Sequence, residues 1–201
     1  MTSTVSQPAQ GSPNSSRWRT LDIVVCAVIG VAFGVVFWAW DAIWGATAPV
    51  FDAVKPLQYL GSGVWLIPAV LAPLIVRKPG AAIFAELVAA SVSALMGNIW
   101  GLDVLLSGFV QGAGAELVFA FGLYRAWSLP VALLAGAGAA VGEVLHDLPI
   151  YYPSDQFGLD FQLAVAVVAI ASGVVIAGWG SWLLARALRR AGVLESFAPT
   201  T

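Results

Sequence analysis

The sequence predicts an all-α membrane protein of six transmembrane helices with both termini in the cytoplasm. Composition comes first: a chain that is 60% hydrophobic and 10% charged has too little polar surface for a water-soluble globule of its size. Six apolar runs divide the sequence. Charge then orients them, because eight of the nine Lys and Arg residues fall where alternate runs would meet one side of a bilayer. Arg17 and Arg19 precede the first run, Arg77 and Lys78 end the second, Arg125 ends the fourth, and Arg186, Arg189 and Arg190 end the sixth; Lys55 is the exception. Asp41, Asp52, Asp103, Asp147, Asp155 and Asp160 gather at or beyond the opposite ends. Carboxylates at an outer mouth suit a cationic solute, and they also follow simply from excluding Lys and Arg.

Residues 1–19 are rich in Ser, Thr, Pro and Gln and are expected to form a disordered cytoplasmic segment without a signal peptide. The spans occupy 20–190, and 191–201 is a cytoplasmic tail. A crossing needs roughly 20 apolar residues. The first run, 21–44, meets that length. The second, 60–76, is short and carries Pro68 and Pro73, so it should be kinked. Arg77-Lys78-Pro79-Gly80 makes a tight turn into the third, 81–99. The fourth covers 104–124, the fifth 129–145 and the sixth 161–188. Two outer loops, 45–59 and 146–160, are long against the short inner connections, and such loops often serve as lids. Cys26 lies within the first run and is the single cysteine, so no disulfide framework is expected.

Ionisable residues at membrane depth are costly, which makes each a site hypothesis. Glu86 lies about 10 Å from the Pro79 turn and Glu116 about 12 Å from Tyr124, placing both at one level inward of the midplane. A buried glutamate without a basic neighbour is expected to protonate, to bind a cation or to accept several hydrogen bonds. Gln111 and Glu116 are about 140° apart in helical phase, so one should face a cavity and the other a neighbouring helix. Glu86, Ala90, Ser93 and Gly97 form a small, polar stripe that Asn98 and Trp100 extend to the outer mouth. Glu143, His146 and Asp147 share one side of the fifth span. Together these residues suggest a polar, aromatic-rimmed pocket in the outer half of a helix bundle. Tryptophan faces plus carboxylates are suited to a flat, cationic heteroaromatic ligand. Gly30 and Gly34 (GVAFG) allow close helix approach, either inside the bundle or as a docking face for another membrane protein.

The chain resembles the substrate-binding S-components of energy-coupling factor (ECF) vitamin transporters, and more specifically the YkoE family. The resemblance rests on RKPGAAIFAELVAA (77–90), GNIWG (97–101) and QGAGAELVFAFGLYR (111–125), supported by GVWLIPAVLAP (63–73). It implies an S-component-like bundle that binds thiamin or its hydroxymethylpyrimidine precursor from outside, closed by the loop after the first helix. It also implies as partners a transmembrane T-component and two cytoplasmic ATPases. The chain has no GxxxxGK[ST] phosphate loop, so energy must come from those partners. S-components dock through an AxxxA-type pattern on the first helix, whose nearest match here is Gly30 to Gly34.

An aminopyrimidine offers a ring nitrogen and an exocyclic amine to a carboxylate or amide. The polar candidates for binding are therefore Glu86, Asn98, Gln111, Glu116, Glu143 and His146; the stacking candidates are Trp38, Trp40, Trp65, Trp100 and Tyr151. No cofactor, metal or nucleic acid is expected. An enzyme is disfavoured, since the single His146 stands at an outer edge without a GxSxG motif or the further His and Cys of a zinc site. The alternative that stays open is a stand-alone proton-coupled secondary transporter or channel for a small cationic solute.

Overall fold

A computed structural model of the chain describes residues 17–192 and 194; the N-terminal segment expected to be disordered lies outside them up to residue 16, as does most of the expected tail. Among the described residues there are helices and turns but no strands. Helix α1 is Thr20–Thr47. Two 3₁₀ stretches, Ala48–Phe51 and Lys55–Val64, lead to α2, Ile67–Val76. Then come α3 (Ala81–Leu95), α4 (Asp103–Phe121), α5 (Leu129–Tyr151) and α6 (Leu159–Arg190), whose middle, Gly173–Gly180, is π-helical.

The second crossing decides the architecture. Its outer part is a 3₁₀ stretch and only its last ten residues are α-helical, a length of about 15 Å against a hydrocarbon core of about 30 Å. Pro68 sits in the first turn of α2, where a missing N–H leaves no bond unmade. Every α2 residue from Pro68 to Val76 is buried. A helix that is apolar all round belongs inside a core, and α2 does touch α1, α3, α4, α5 and α6. The outer helices turn valines and leucines such as Val28, Val35, Leu106, Leu117 and Val167 outward, a surface suited to lipid.

Glycine sets how closely the outer helices approach. On α1 the buried stripe is Asp22, Cys26, Gly30, Gly34, Phe37 and Asp41. A Cβ at Gly30 would lie 2.6 Å from Val88 Cβ, and one at Gly34 2.5 Å from Val92 Cβ. Both glycines are therefore consumed by the α1–α3 crossing, which corrects the expectation that they form a docking face. A partner on α1 would meet the opposite, valine-rich side. Gly114 and Gly138 bring α4 and α5 into backbone contact in the same way.

The ends of the bundle are tied by side chains. Trp18 Nε1 donates to the Pro79 carbonyl (3.0 Å), and Asp22 accepts from the Arg19 backbone N–H (2.8 Å) and guanidinium (2.8 Å). The first bond pins the start of α1 to the α2–α3 turn, and the Asp22 bonds cap the helix itself. Helix boundaries depart from the sequence reading at several ends, among them the end of α1, which runs on from 44 to Thr47. Helix α3 stops at Leu95 instead of 99, followed by Gly97 at φ +81°. Helix α4 stops at Phe121, before Leu123 and Tyr124, which are both left-handed. Helix α5 continues past 145 to Tyr151, so much of the expected outer loop is helical, with Pro149 inside its last turn.

Candidate functional site

Beyond the N-terminus of α2 the bundle is hollow. A cavity of about 310 Å³ opens there between α1, the second 3₁₀ stretch, α3, α4 and α5. That size suits a single small molecule. Its floor follows from the shortness of α2. The first turn of any helix leaves backbone N–H groups without partners, and here Ala69 N–H donates to Glu86 Oε2 at 2.9 Å. Glu86 is fully buried, and its other oxygen, Oε1, has no partner among the described residues. A buried carboxylate oxygen left unpaired at a cavity wall is a ready acceptor for a ligand.

Helical phase supplies the walls. From α3, Glu86, Ala90 and Ser93 face the cavity; from α4, Asp103, Ser107 and Gln111 do. Gln111 Nε2 donates to Ser107 Oγ at 2.8 Å, which orients the amide. From α5 come Glu143, His146, Asp147 and Tyr151. Ser62 Oγ donates to Glu143 Oε2 at 3.0 Å, tying the 3₁₀ stretch to α5. Ser172 fastens the same stretch to α6, accepting from Gly63 N–H (2.9 Å) and donating to the Leu60 carbonyl (2.7 Å).

Nearer the mouth a polar chain crosses between helices. Tyr59 donates to Asp147 Oδ2 at 2.9 Å, and His146 Nδ1 lies 2.8 Å from Asp147 Oδ1. The second ring nitrogen, Nε2, lies 3.4 Å from Asp103 Oδ1, an ion pair when the ring is protonated. Tyr151 donates its hydroxyl to the other oxygen of Asp103. Aromatic rings complete the wall: Trp65 meets Trp44 edge-on (4.9 Å between centroids) and Trp100 likewise (5.5 Å).

The sequence candidates divide accordingly. Glu86, Trp65, Trp100, Gln111, Glu143, His146 and Tyr151 converge on the cavity. Glu116 does not, which corrects its inclusion. It points to the arginine-bearing end, accepting from Gly80 N–H (2.6 Å), Ala82 N–H (2.9 Å) and the Tyr124 hydroxyl (2.8 Å). It caps the start of α3, and its hydrogen bonds are filled from the protein. Burial and the adjacent Glu116 push the Tyr124 hydroxyl up to about 12, so it stays a donor at working pH.

Trp38 and Trp40 also lie outside the cavity. Trp38 is 43% exposed on the outer face of α1, and Trp40 packs on Gly61, donating to its carbonyl at 3.1 Å. Asn98 stands behind the wall, where its Oδ1 accepts from Trp100 N–H at 2.8 Å and so positions that ring's backbone. The binding candidates did not include Trp44, Tyr59 and Ser107, nor Ser93, read only as part of the polar stripe, nor Asp41 and Asp103, read only as outer-mouth carboxylates; all six line the cavity. Asp41 had a legible signal: it lies seven residues after Gly34, on the same helical stripe.

Comparison with known proteins agrees with this geometry. Residues 21–142 match the family described as ABC-type cobalt transport system, permease component. A Bacillus subtilis (strain 168) protein that carries the name HMP/thiamine permease protein YkoE is 36% identical over 184 residues, covering 90% of this chain and 89% of that protein. A solved structure titled as an S-component of an ECF transporter superposes with a TM-score of 0.85 at 34% identity, covering 90% of this chain and 91% of the other.

Proposed function

This chain belongs to the YkoE family of ECF-transporter S-components, and from that membership we propose that it captures thiamin or its hydroxymethylpyrimidine precursor at the outer face of the membrane. It is a multi-pass protein of a prokaryotic plasma membrane. The observation that carries the proposal is the partnerless Glu86 Oε1 in a cavity walled by tryptophans. An aminopyrimidine has an exocyclic amine to donate to that oxygen and ring nitrogens to accept from an amide such as Gln111. Its flat ring fits between aromatic faces, where stacking contributes about 0.5–1.5 kcal/mol beyond area burial.

The arginine-bearing end lies in the cytoplasm by the positive-inside rule, which turns the cavity outward. A T-component and two ATPases then supply the energy that this chain has no phosphate loop to provide. A cobalt ion, named in the family description, calls for several converging donors; no group of three or more His, Cys, Asp and Glu side chains among the described residues could hold a metal ion.

Intrinsic tryptophan fluorescence of the purified chain, titrated with thiamin, hydroxymethylpyrimidine and an unrelated vitamin, tests the proposal. Saturable binding of either pyrimidine compound without any ATPase present is the expected result. No response, repeated by calorimetry, would overturn it and favour a proton-coupled secondary transporter or channel.

A further inference from the structure

The arginine-bearing end holds cations that the fold leaves without counter-charges. Arg77 ends α2 in a left-handed conformation (φ +54°), and its guanidinium lies over the Trp127 ring, 5.9 Å from the centroid. That ring is a fixed platform, because it stacks on the buried Phe119 at 5.4 Å. On α6, Trp182, Arg186 and Arg189 follow i, i+4, i+7 spacing and share one face, with Arg186 over Trp182 at 4.5 Å. The end of α6 packs against α2. Partial burial, and then the charge of Arg189, hold the Arg77 guanidinium below its ordinary value. All three arginine side chains reach the surface. The carboxylates of this end are already taken, Asp22 by Arg19 and Lys78, and Glu116 by Gly80, Ala82 and Tyr124. Among the described residues no ion pair includes Arg77, Arg186 or Arg189. The positive-inside rule accounts for arginines at one end, but not for two that meet without an acid between them.

We propose that Arg77 and Arg189, backed by Trp127 and flanked by Arg186 on Trp182, form a binding site for the phosphodiester of an anionic phospholipid. The site lies at the opposite end of the bundle from the cavity and does not depend on the vitamin-capture reading. Guanidinium groups meet phosphate oxygens with paired, charge-assisted N–H bonds, and a bound anion relieves the repulsion between the two arginines. A phospholipid fits better than free phosphate because the surface beside the arginines is apolar. Trp179, Leu183 and Leu184 precede them on α6 and are 49%, 45% and 38% exposed. An acyl chain has a surface to lie on there. Basic pockets between transmembrane helices hold anionic head groups in this way.

The test is native mass spectrometry of the full chain in detergent with equal amounts of phosphatidylglycerol and phosphatidylcholine of the same acyl chains. Thermal unfolding is followed in parallel with each lipid and with inorganic phosphate. Phosphatidylglycerol is expected to be retained about tenfold or more over phosphatidylcholine and to raise Tm, while phosphate leaves Tm unchanged. Arg77→Gln and Arg189→Gln should each lose most of that preference. Arg125→Gln removes the same charge from the same end, at a residue with no ring or ion-pair contact among the described residues, and should keep it. Equal retention of the two lipids by the wild-type chain would overturn the site. An equal loss in Arg125→Gln would do so too, leaving only a diffuse positive face. A rise in Tm with phosphate as large as with phosphatidylglycerol would overturn the lipid as occupant. The wild-type comparison needs no variant, so a poorly folding Arg77→Gln does not blunt it.

Discussion

The two halves of the bundle answer one problem, a buried glutamate near a helix start, in opposite ways. At the arginine-bearing end, Glu116 reaches from α4 to the start of α3 and meets three donors from the protein, two backbone N–H groups and Tyr124. On the cavity side, Glu86 reaches from α3 to the start of α2 and meets one, Ala69 N–H, with its second oxygen unpaired. The packed half surrounds the ten buried and half-buried residues of α2; the hollow half begins where α2 has not yet started. The same residue type thus holds the fold together in one half and faces an empty volume in the other. Satisfaction of hydrogen bonds, more than burial, separates the structural Glu116 from Glu86, the carboxylate proposed to meet the ligand.

Breaking the packed half should produce the largest change. Glu116→Ala strands the N–H groups of Gly80 and Ala82, at a cost of about 3 kcal/mol or more. Thermal unfolding in detergent should show a clear fall in Tm, with ligand affinity of the folded fraction unchanged. In the hollow half, Glu86→Gln can keep an acceptor for Ala69 while an amide nitrogen, which cannot accept, takes the place of the unpaired Oε1. Its thiamin affinity should fall roughly tenfold to a hundredfold by calorimetry at an almost unaltered Tm.

Gly34→Ala sharpens the comparison from α1, because the added methyl meets Val92 while Asp41 and Trp44 lie further along the same stripe. A destabilisation of about 1–3 kcal/mol is expected, read as a lower Tm. Tyr124→Phe removes one of the three Glu116 donors and should cost about 1 kcal/mol by the same assay. Trp38→Ala, on the exposed face, should change stability by less than about 0.5 kcal/mol and leave affinity intact.

Much of this was legible in the sequence. Hydropathy and the placement of Arg and Lys marked the six crossings, and the prolines of the second announced its irregularity. Phase arithmetic separated Gln111 from Glu116, and the two do face different surroundings. The destination of Glu116 was not legible, because linear rise puts it level with Glu86 and says nothing of which helix start lies within reach. Gly30 and Gly34 were ambiguous for a related reason: spacing identifies a close-approach face without naming what approaches. Asp41 was read with the outer aspartates by its position near a helix end, although its stripe with Gly30, Gly34 and Phe37 points inward. The outer end of α5 was read as loop because prolines and polar residues mask a helix that its packing in the bundle extends to Tyr151.

The central claim, that Glu86 serves the ligand and Glu116 serves the fold, is tested most directly by measuring thiamin affinity and Tm side by side for Glu86→Gln and Glu116→Gln. The account predicts a crossed result: lost affinity at constant Tm for the first, and lowered Tm at constant affinity for the second. Wild-type affinity in Glu86→Gln, or an equal loss of affinity in Glu116→Gln, would contradict it.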